Sequence, residues 1–310
     1  MSNRARLGKL MPESIIQSEQ YTFVVGKEKV PVVVHAAALA ATSTQIDRLI
    51  NGGMKEAKDK CAEIPDISVE DFTRFCEYAY RGDYAIPSYA FDENRSANEK
   101  VEGSSDPTTS TEKDPETSAQ TEDDFFFPLE PDAPAIQDGW SSFGNKKSKK
   151  PKPSKTSNFR ESFRDRNYLS RNECLVETTS RFEVKSNTSD EQDYTPIFLD
   201  HARLYAFAHM RLAHNLRRLT LEKLHKTLVG FQLFEARVND IIGVTRYAYS
   251  NEYIPDRAPD ECIDELRKLI VDYIVSEFDV IGKAAGLHAY LEEGGQFASD
   301  LLRTLSRELL

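Results

Sequence analysis

A break in texture constrains this chain more than any other feature. Residues 19–86 and 196–310 carry dense, regularly spaced apolar side chains, whereas residues 87–195 between them are dominated by Ser, Thr, Pro, Asp, Glu and Lys. From Glu93 to Gln120 there is almost no large apolar residue. Such a tract cannot offset its ordering entropy by burial, so 87–195 is predicted to be a disordered insertion. A compact unit must then be built from the segments on either side. That arrangement is feasible because the cost of closing a loop grows only slowly with its length. The apolar content, 39% of 310 residues, agrees with a chain that folds only in part.

The first patterned stretch reads as mixed α and β. Tyr21-Thr22-Phe23-Val24-Val25 is β-branched and aromatic and stops at Gly26, and a second such run covers Val30–Val34. Two runs across a Gly-bearing turn predict a hairpin, with Pro31 marking an edge position or a strand start. Ala36–Ala41 are helix formers. Ser43 or Thr44 can cap a further helix holding Ile46, Leu49 and Ile50, which Asn51-Gly52-Gly53 should end through left-handed glycine. Ala62–Pro65 is a short strand. Asp66 or Ser68 caps a helix with Phe72, Phe75, Cys76 and Ala79 on one face, broken at Arg81-Gly82-Asp83. The last stretch is helical throughout. Its apolar residues step by three and four from Phe198 to Leu216, then from Leu221 to Leu228, Val238 to Tyr249, Ile263 to Ile274 and Phe297 to Leu309. No repeat of fixed period is present, which argues against a solenoid.

The first stretch resembles the BTB/POZ family, of the kind common in fungi. The matching residues are Phe23-Val24-Val25-Gly26, Val33-Val34-His35, Ala38-Leu39-Ala40-Ala41 with Ser43, and Asn51-Gly52-Gly53-Met54-Lys55-Glu56. The series continues through Ile64-Pro65-Asp66-Ile67 and then Phe72, Phe75, Tyr78, Tyr80, Gly82 and Tyr84. Ala202-Arg203-Leu204-Tyr205 with Ala208 is similar to the next helix of that family. The resemblance implies an α+β class, with a short three-stranded sheet capped by helical hairpins, followed by an all-α extension. The expected organisation is a tail at 1–18, the first part of the core at 19–86, the insertion at 87–195, closing helices at 196–229 and the helical extension at 230–310. Members of the family act through protein contacts. Many form homodimers, and some bind the scaffold of a cullin-type ubiquitin ligase. The chain departs from the family near the dimer seam: His35 is present, but Ala36 stands where Lys is usual, Thr42 stands where Arg is common, and no clear Asp is found.

No catalytic, metal or cofactor residue is predicted. A catalytic His needs a nucleophile or carboxylate within hydrogen-bond reach, and no Ser or Cys motif marks one for His35, which reads as structural. His201, His209, His214 and His225 lack the i, i+4 spacing of a helical zinc pair. Cys61, Cys76, Cys174 and Cys262 are scattered, which fits reduced thiols better than a zinc or disulfide framework. No phosphate loop or nucleophile elbow is present. Met54, Lys55 and Glu56 fit the apolar-x-Glu pattern with which cullin-binding relatives meet their scaffold, and are the candidate partner contact. Lys146, Lys147, Lys149, Lys150 and Lys152 form a candidate nuclear localisation signal. Phe125-Phe126-Phe127 beside Asp123 and Asp124 resembles an acidic-aromatic peptide ligand.

A formal charge of −11 argues against nucleic acid as a partner. The start of the chain has no apolar signal-peptide region. The longest apolar run, Pro31–Ala41, is shorter than the roughly 20 residues that span a bilayer. The expected location is the cytoplasm, the nucleus or both. The reading that follows is a non-catalytic protein–protein interaction module acting as a scaffold or adaptor. Its alternatives are a substrate adaptor of a cullin-RING ubiquitin ligase and a nuclear or transcription-associated scaffold.

Overall fold

The computed structural model describes residues 12–92, 155–169, 182–257 and 262–308. A short helix, α1 (Pro12–Ile16), leads into the hairpin of β1 (Gln20–Val25) and β2 (Val30–His35). The hairpin is antiparallel, with Thr22 opposite Val33 and Val24 opposite Pro31. The period of two sends Tyr21, Phe23 and Val25 into the core. β3 (Cys61–Ile64) runs parallel to β1 on its other side, giving the order β2-β1-β3. β2 is therefore an edge strand, where Pro31 removes no ladder hydrogen bond.

A parallel pair needs a crossover connection. It is supplied by α2 (Ala36–Ala40), α3 (Thr44–Asn51) and α4 (Lys55–Asp59). Ser43 caps α3, its Oγ accepting from the Ile46 N–H at 3.1 Å. The end of α3 differs from the sequence expectation. Gly52 has an ordinary φ of −78°, and glycine is required because a Cβ there would lie 2.2 Å from the Arg48 carbonyl oxygen. α5 (Val69–Arg81) is capped by Ser68 and stops at Gly82, whose φ of 72° is left-handed.

The second half holds α6 (Lys155–Arg164), α7 (Thr195–Met210), α8 (His214–Gly230), α9 (Val238–Ser250) and α10 (Glu265–Ser276). Three more helices follow: α11 (Phe278–Ile281), α12 (Ala285–Glu292) and α13 (Gln296–Glu308). The periodic stretch from Phe198 to Leu216 is not one helix. It breaks at Leu212, which takes φ 57°, while the Ala213 N–H closes the turn onto the Ala208 carbonyl at 2.8 Å. α11 and α12 lie in a stretch where apolar spacing gave no expectation.

The insertion also needs correction. Within 87–195, residues 155–169 and 182–195 are ordered. β4 (Ala90–Phe91) and β5 (Gln192–Asp193) form an antiparallel clasp, and α6 buries Phe159 and Phe163 in the helical core. Two apolar side chains one turn apart give a short helix enough buried area to order it.

The interior forms two clusters. One joins the sheet to α2, α3 and α5. The other lies within the C-terminal helices and α6. α7 feeds both, sending Leu204, Phe207 and Ala208 to the first and Phe198, Ala202 and Tyr205 to the second. α8 does the same, with Leu216 and Leu219 on one side and Leu224 and Leu228 on the other. A helix packed on both sides cannot keep a polar face, which explains why apolar residues ring α7.

Candidate functional site

The α3–α4 turn carries the predicted partner contact. Asn51–Met54 are exposed, and Met54 leaves 66% of its surface open to solvent. Lys55 is exposed and pairs with Asp59 at 3.9 Å, an i, i+4 surface pair of small energetic weight. Glu56 is half-buried. The hydroxyl of Tyr21, inside the sheet, donates to the Glu56 carbonyl at 3.1 Å. Burial pushes the Tyr21 phenol up to about 12, so it stays protonated as a donor. This bond fixes the turn to β1. An exposed thioether on a short turn held at both ends is a preorganised apolar anchor, and the carboxylate two residues on gives it a polar neighbour.

The residues expected near a dimer seam have local partners. The His35 N–H donates to the Tyr80 hydroxyl at 2.9 Å, and His35 Nδ1 lies 2.9 Å from the same oxygen. The Thr42 hydroxyl donates to the Leu39 carbonyl at 2.8 Å, closing the end of α2. Ala36 begins α2 and is half-buried.

The histidines that invite a chemical reading are structural. His201 is enclosed, with Nδ1 2.7 Å from the Tyr84 hydroxyl. Burial, aided by Lys223 and Arg74, pushes it down to about 3 and keeps it neutral. His225 Nε2 meets the Phe163 carbonyl at 2.7 Å and so ties α8 to α6. Among the described residues, no group of three or more His, Cys, Asp or Glu is placed to hold a metal ion. No described helix is long and apolar enough to cross a membrane. Lys146–Lys152, Phe125–Phe127 and Trp140 lie outside the described residues.

Sequence reasoning missed the polar contacts, some buried and some at the edge of the interior, that join the two halves of the chain. Arg74 on α5 reaches Asp200 on α7 at 2.7 Å and Asp71 at 2.9 Å. Arg211 reaches Asp66 at 3.0 Å, and the Ser43 hydroxyl donates to the Arg211 carbonyl. Nothing local signals the Arg74–Asp200, Arg211–Asp66 and Ser43–Arg211 contacts, whose partners are more than a hundred residues apart.

Residues 17–100 match the family model of the BTB/POZ domain, and the sheet order, the helical crossover and α5 all fall within that span. The first part of this chain is a BTB/POZ domain. No curated protein matches the chain. The BTB/POZ domain makes this a protein–protein interaction module, and domains of this family are generally non-catalytic. Here it is followed by a helix-rich region that completes its interior through α7 and α8.

Proposed function

We propose that the protein is a non-catalytic adaptor, in which the BTB/POZ domain holds one partner through the α3–α4 turn while the C-terminal helices hold another. The observation that carries this reading is Met54, 66% exposed on a turn fixed to β1 by the Tyr21–Glu56 bond. An apolar side chain is left in water there at a cost, and a partner that covers it recovers roughly 25 cal/mol per Å² of apolar surface. The Met54-x-Glu56 spacing supports a cullin scaffold as the partner, which makes the protein a substrate adaptor of a ubiquitin ligase.

The test is titration of the full chain against the purified N-terminal region of a cullin, by interferometry. Micromolar capture is expected. Met54→Ala and Glu56→Ala should each weaken it at least about tenfold, the effect of losing a small hot spot. Capture that survives both substitutions rules out this turn as the contact. Absence of capture by every cullin paralogue rules out the ligase role.

A further inference from the structure

A pocket of about 200 Å³ opens between α6, α8, α10 and α11. Its walls are apolar: Phe163 from α6, Leu228 from α8, Phe231 and Leu233 from the segment that follows α8, and Val280 from α11. Val229 also borders it and is 37% exposed, an apolar side chain left to water beside the opening. Arg160, Arg164 and Glu277 add charge to the lining. Two of these three satisfy each other. Arg160 Nε lies 3.0 Å from the Glu277 carboxylate and donates to the Ser276 carbonyl at 2.9 Å. From outside the lining, Asp279 also approaches Arg160, at 3.8 Å.

Two groups at this pocket lack a direct partner. Arg164 is exposed and forms no hydrogen bond or ion pair among the described residues. Glu277 acts on it only at longer range, its carboxylate being already engaged by Arg160. The other group is the hydroxyl of Tyr273. Tyr273 lines the pocket, is 3% exposed, and its hydroxyl makes no hydrogen bond among the described residues. Other phenols of the helical core are paired: Tyr205 donates to Asp264 at 2.8 Å, Tyr249 to Asp300 at 2.9 Å and Tyr194 to the Lys185 carbonyl at 2.7 Å. A buried phenol normally finds such a partner, because a desolvated hydroxyl left unpaired is costly. Burial raises the Tyr273 pKa, so at neutral pH the hydroxyl keeps its proton and offers a donor.

We propose that this pocket seats one aromatic side chain of an acidic partner peptide. Its volume lies below the roughly 300–1,000 Å³ of drug-sized sites, which leaves room for a single side chain. The rings of Phe163, Phe231 and Tyr273 favour an aromatic occupant over a branched aliphatic one, since aromatic pairs gain from edge-to-face contact beyond the area they bury. A carboxylate on the residue before it gives the forked donors of Arg164 a charge-assisted partner. The Tyr273 hydroxyl donates to a carbonyl oxygen of the seated residue. A basic peptide would instead oppose Arg164. The inference rests on the adaptor reading at one point, that the C-terminal helices hold a partner, and shares no residue with the α3–α4 turn.

The probe is acetyl-Asp-Asp-Phe-Gly amide, titrated into the full chain and followed by the methyl resonances of Leu228, Val229, Leu233 and Val280. Saturable binding with a Kd on the order of 1 mM is expected, moving these methyls and not those of Leu39 and Ile46 in the sheet-side cluster. Affinity should fall about three- to fivefold for Arg164→Ala and for acetyl-Asn-Asn-Phe-Gly amide, the scale of an exposed ion pair. It should fall about threefold for Tyr273→Phe, and acetyl-Asp-Asp-Ala-Gly amide should not bind. Arg164 is exposed and Tyr273→Phe removes one oxygen, so both variants should keep their fold, which the sheet-side methyls check. Equal affinity for the acidic and amide peptides, or unchanged affinity in either variant, overturns the acidic peptide as occupant. Methyl shifts that follow protein concentration without peptide make a second copy the occupant and overturn the proposal in the same way. No shift at tens of millimolar peptide overturns the site itself. Cullin capture uses none of these residues, so failure here and failure of the α3–α4 contact are read separately.

Discussion

Lys223 is a charge placed in the core, with its side chain 1% exposed. Its ammonium donates to the Tyr84 carbonyl at 2.8 Å, pairs with Asp83, and lies over the rings of Tyr84 at 4.2 Å and Phe182 at 4.9 Å. Burial pushes the Lys223 pKa down and Asp83 opposes the shift. A buried ion pair is close to neutral against an apolar replacement, yet losing one partner strands the other charge. Asp83→Ala should therefore cost about 2–3 kcal/mol in urea unfolding, below the ~3–5 kcal/mol of a fully enclosed pair because Asp83 is 30% exposed. Lys223→Met should cost less, under about 1.5 kcal/mol, because it removes the buried charge itself. Equal costs would show that Asp83 does not compensate Lys223. The same asymmetry of scale governs the α3–α4 turn, where Lys55 is a surface charge of little consequence and Met54 carries the argument.

At the scale of elements, α6 is the least expected piece. The described residues form one compact unit, and α6 belongs to it. Replacing 97–152 with a Gly/Ser linker of roughly 20 residues should leave the unfolding free energy within about 1 kcal/mol, since closure entropy changes slowly with length. Phe163→Ala should instead cost about 3–5 kcal/mol, the usual penalty for emptying a buried phenylalanine site. A neutral Phe163→Ala would detach α6 from the core. The contrast explains what was legible in the sequence. The β1–β2 hairpin, α3 and α5 are encoded locally, by alternation, by Ser43 and Ser68 as caps, and by Gly26 and Gly82 at left-handed φ. Met54-Lys55-Glu56 stands out in the sequence as a short local motif, of which the structure exposes Met54 and Lys55 and half-buries Glu56. α6 has only Phe159 and Phe163 in a polar, basic surround, and its partners on α10 come about a hundred residues later. The break at Leu212 was hidden because a leucine at positive φ is set by the α7–α8 packing and not by its own preference.

On the scale of the whole molecule, α7 and α8 belong to both interior clusters, so neither cluster can open without exposing a wall of the other. The described unit should unfold as one cooperative system. Native-state hydrogen exchange tests this. Phe72→Ala, in the sheet-side cluster, should lower the opening free energies of slow amides in β1 and in α10 by the same amount. A loss confined to β1 would mean that the clusters unfold separately. The clasp of β4 with β5 has a different kind of consequence. It is reinforced by Arg237 on Asp92 at 2.6 Å and by the stacked rings of Tyr89 and Tyr194, and it brings residues 90–91 beside 192–193. The clasp therefore ties together the two ends of a segment that also carries α6, whose Phe159 and Phe163 lie in the helical core. Inheritance of that segment is therefore divided: around Phe159 and Phe163 each change is felt by the interior, and natural selection must treat α6 as part of the folded body although it is separated from β4 by more than sixty residues of sequence.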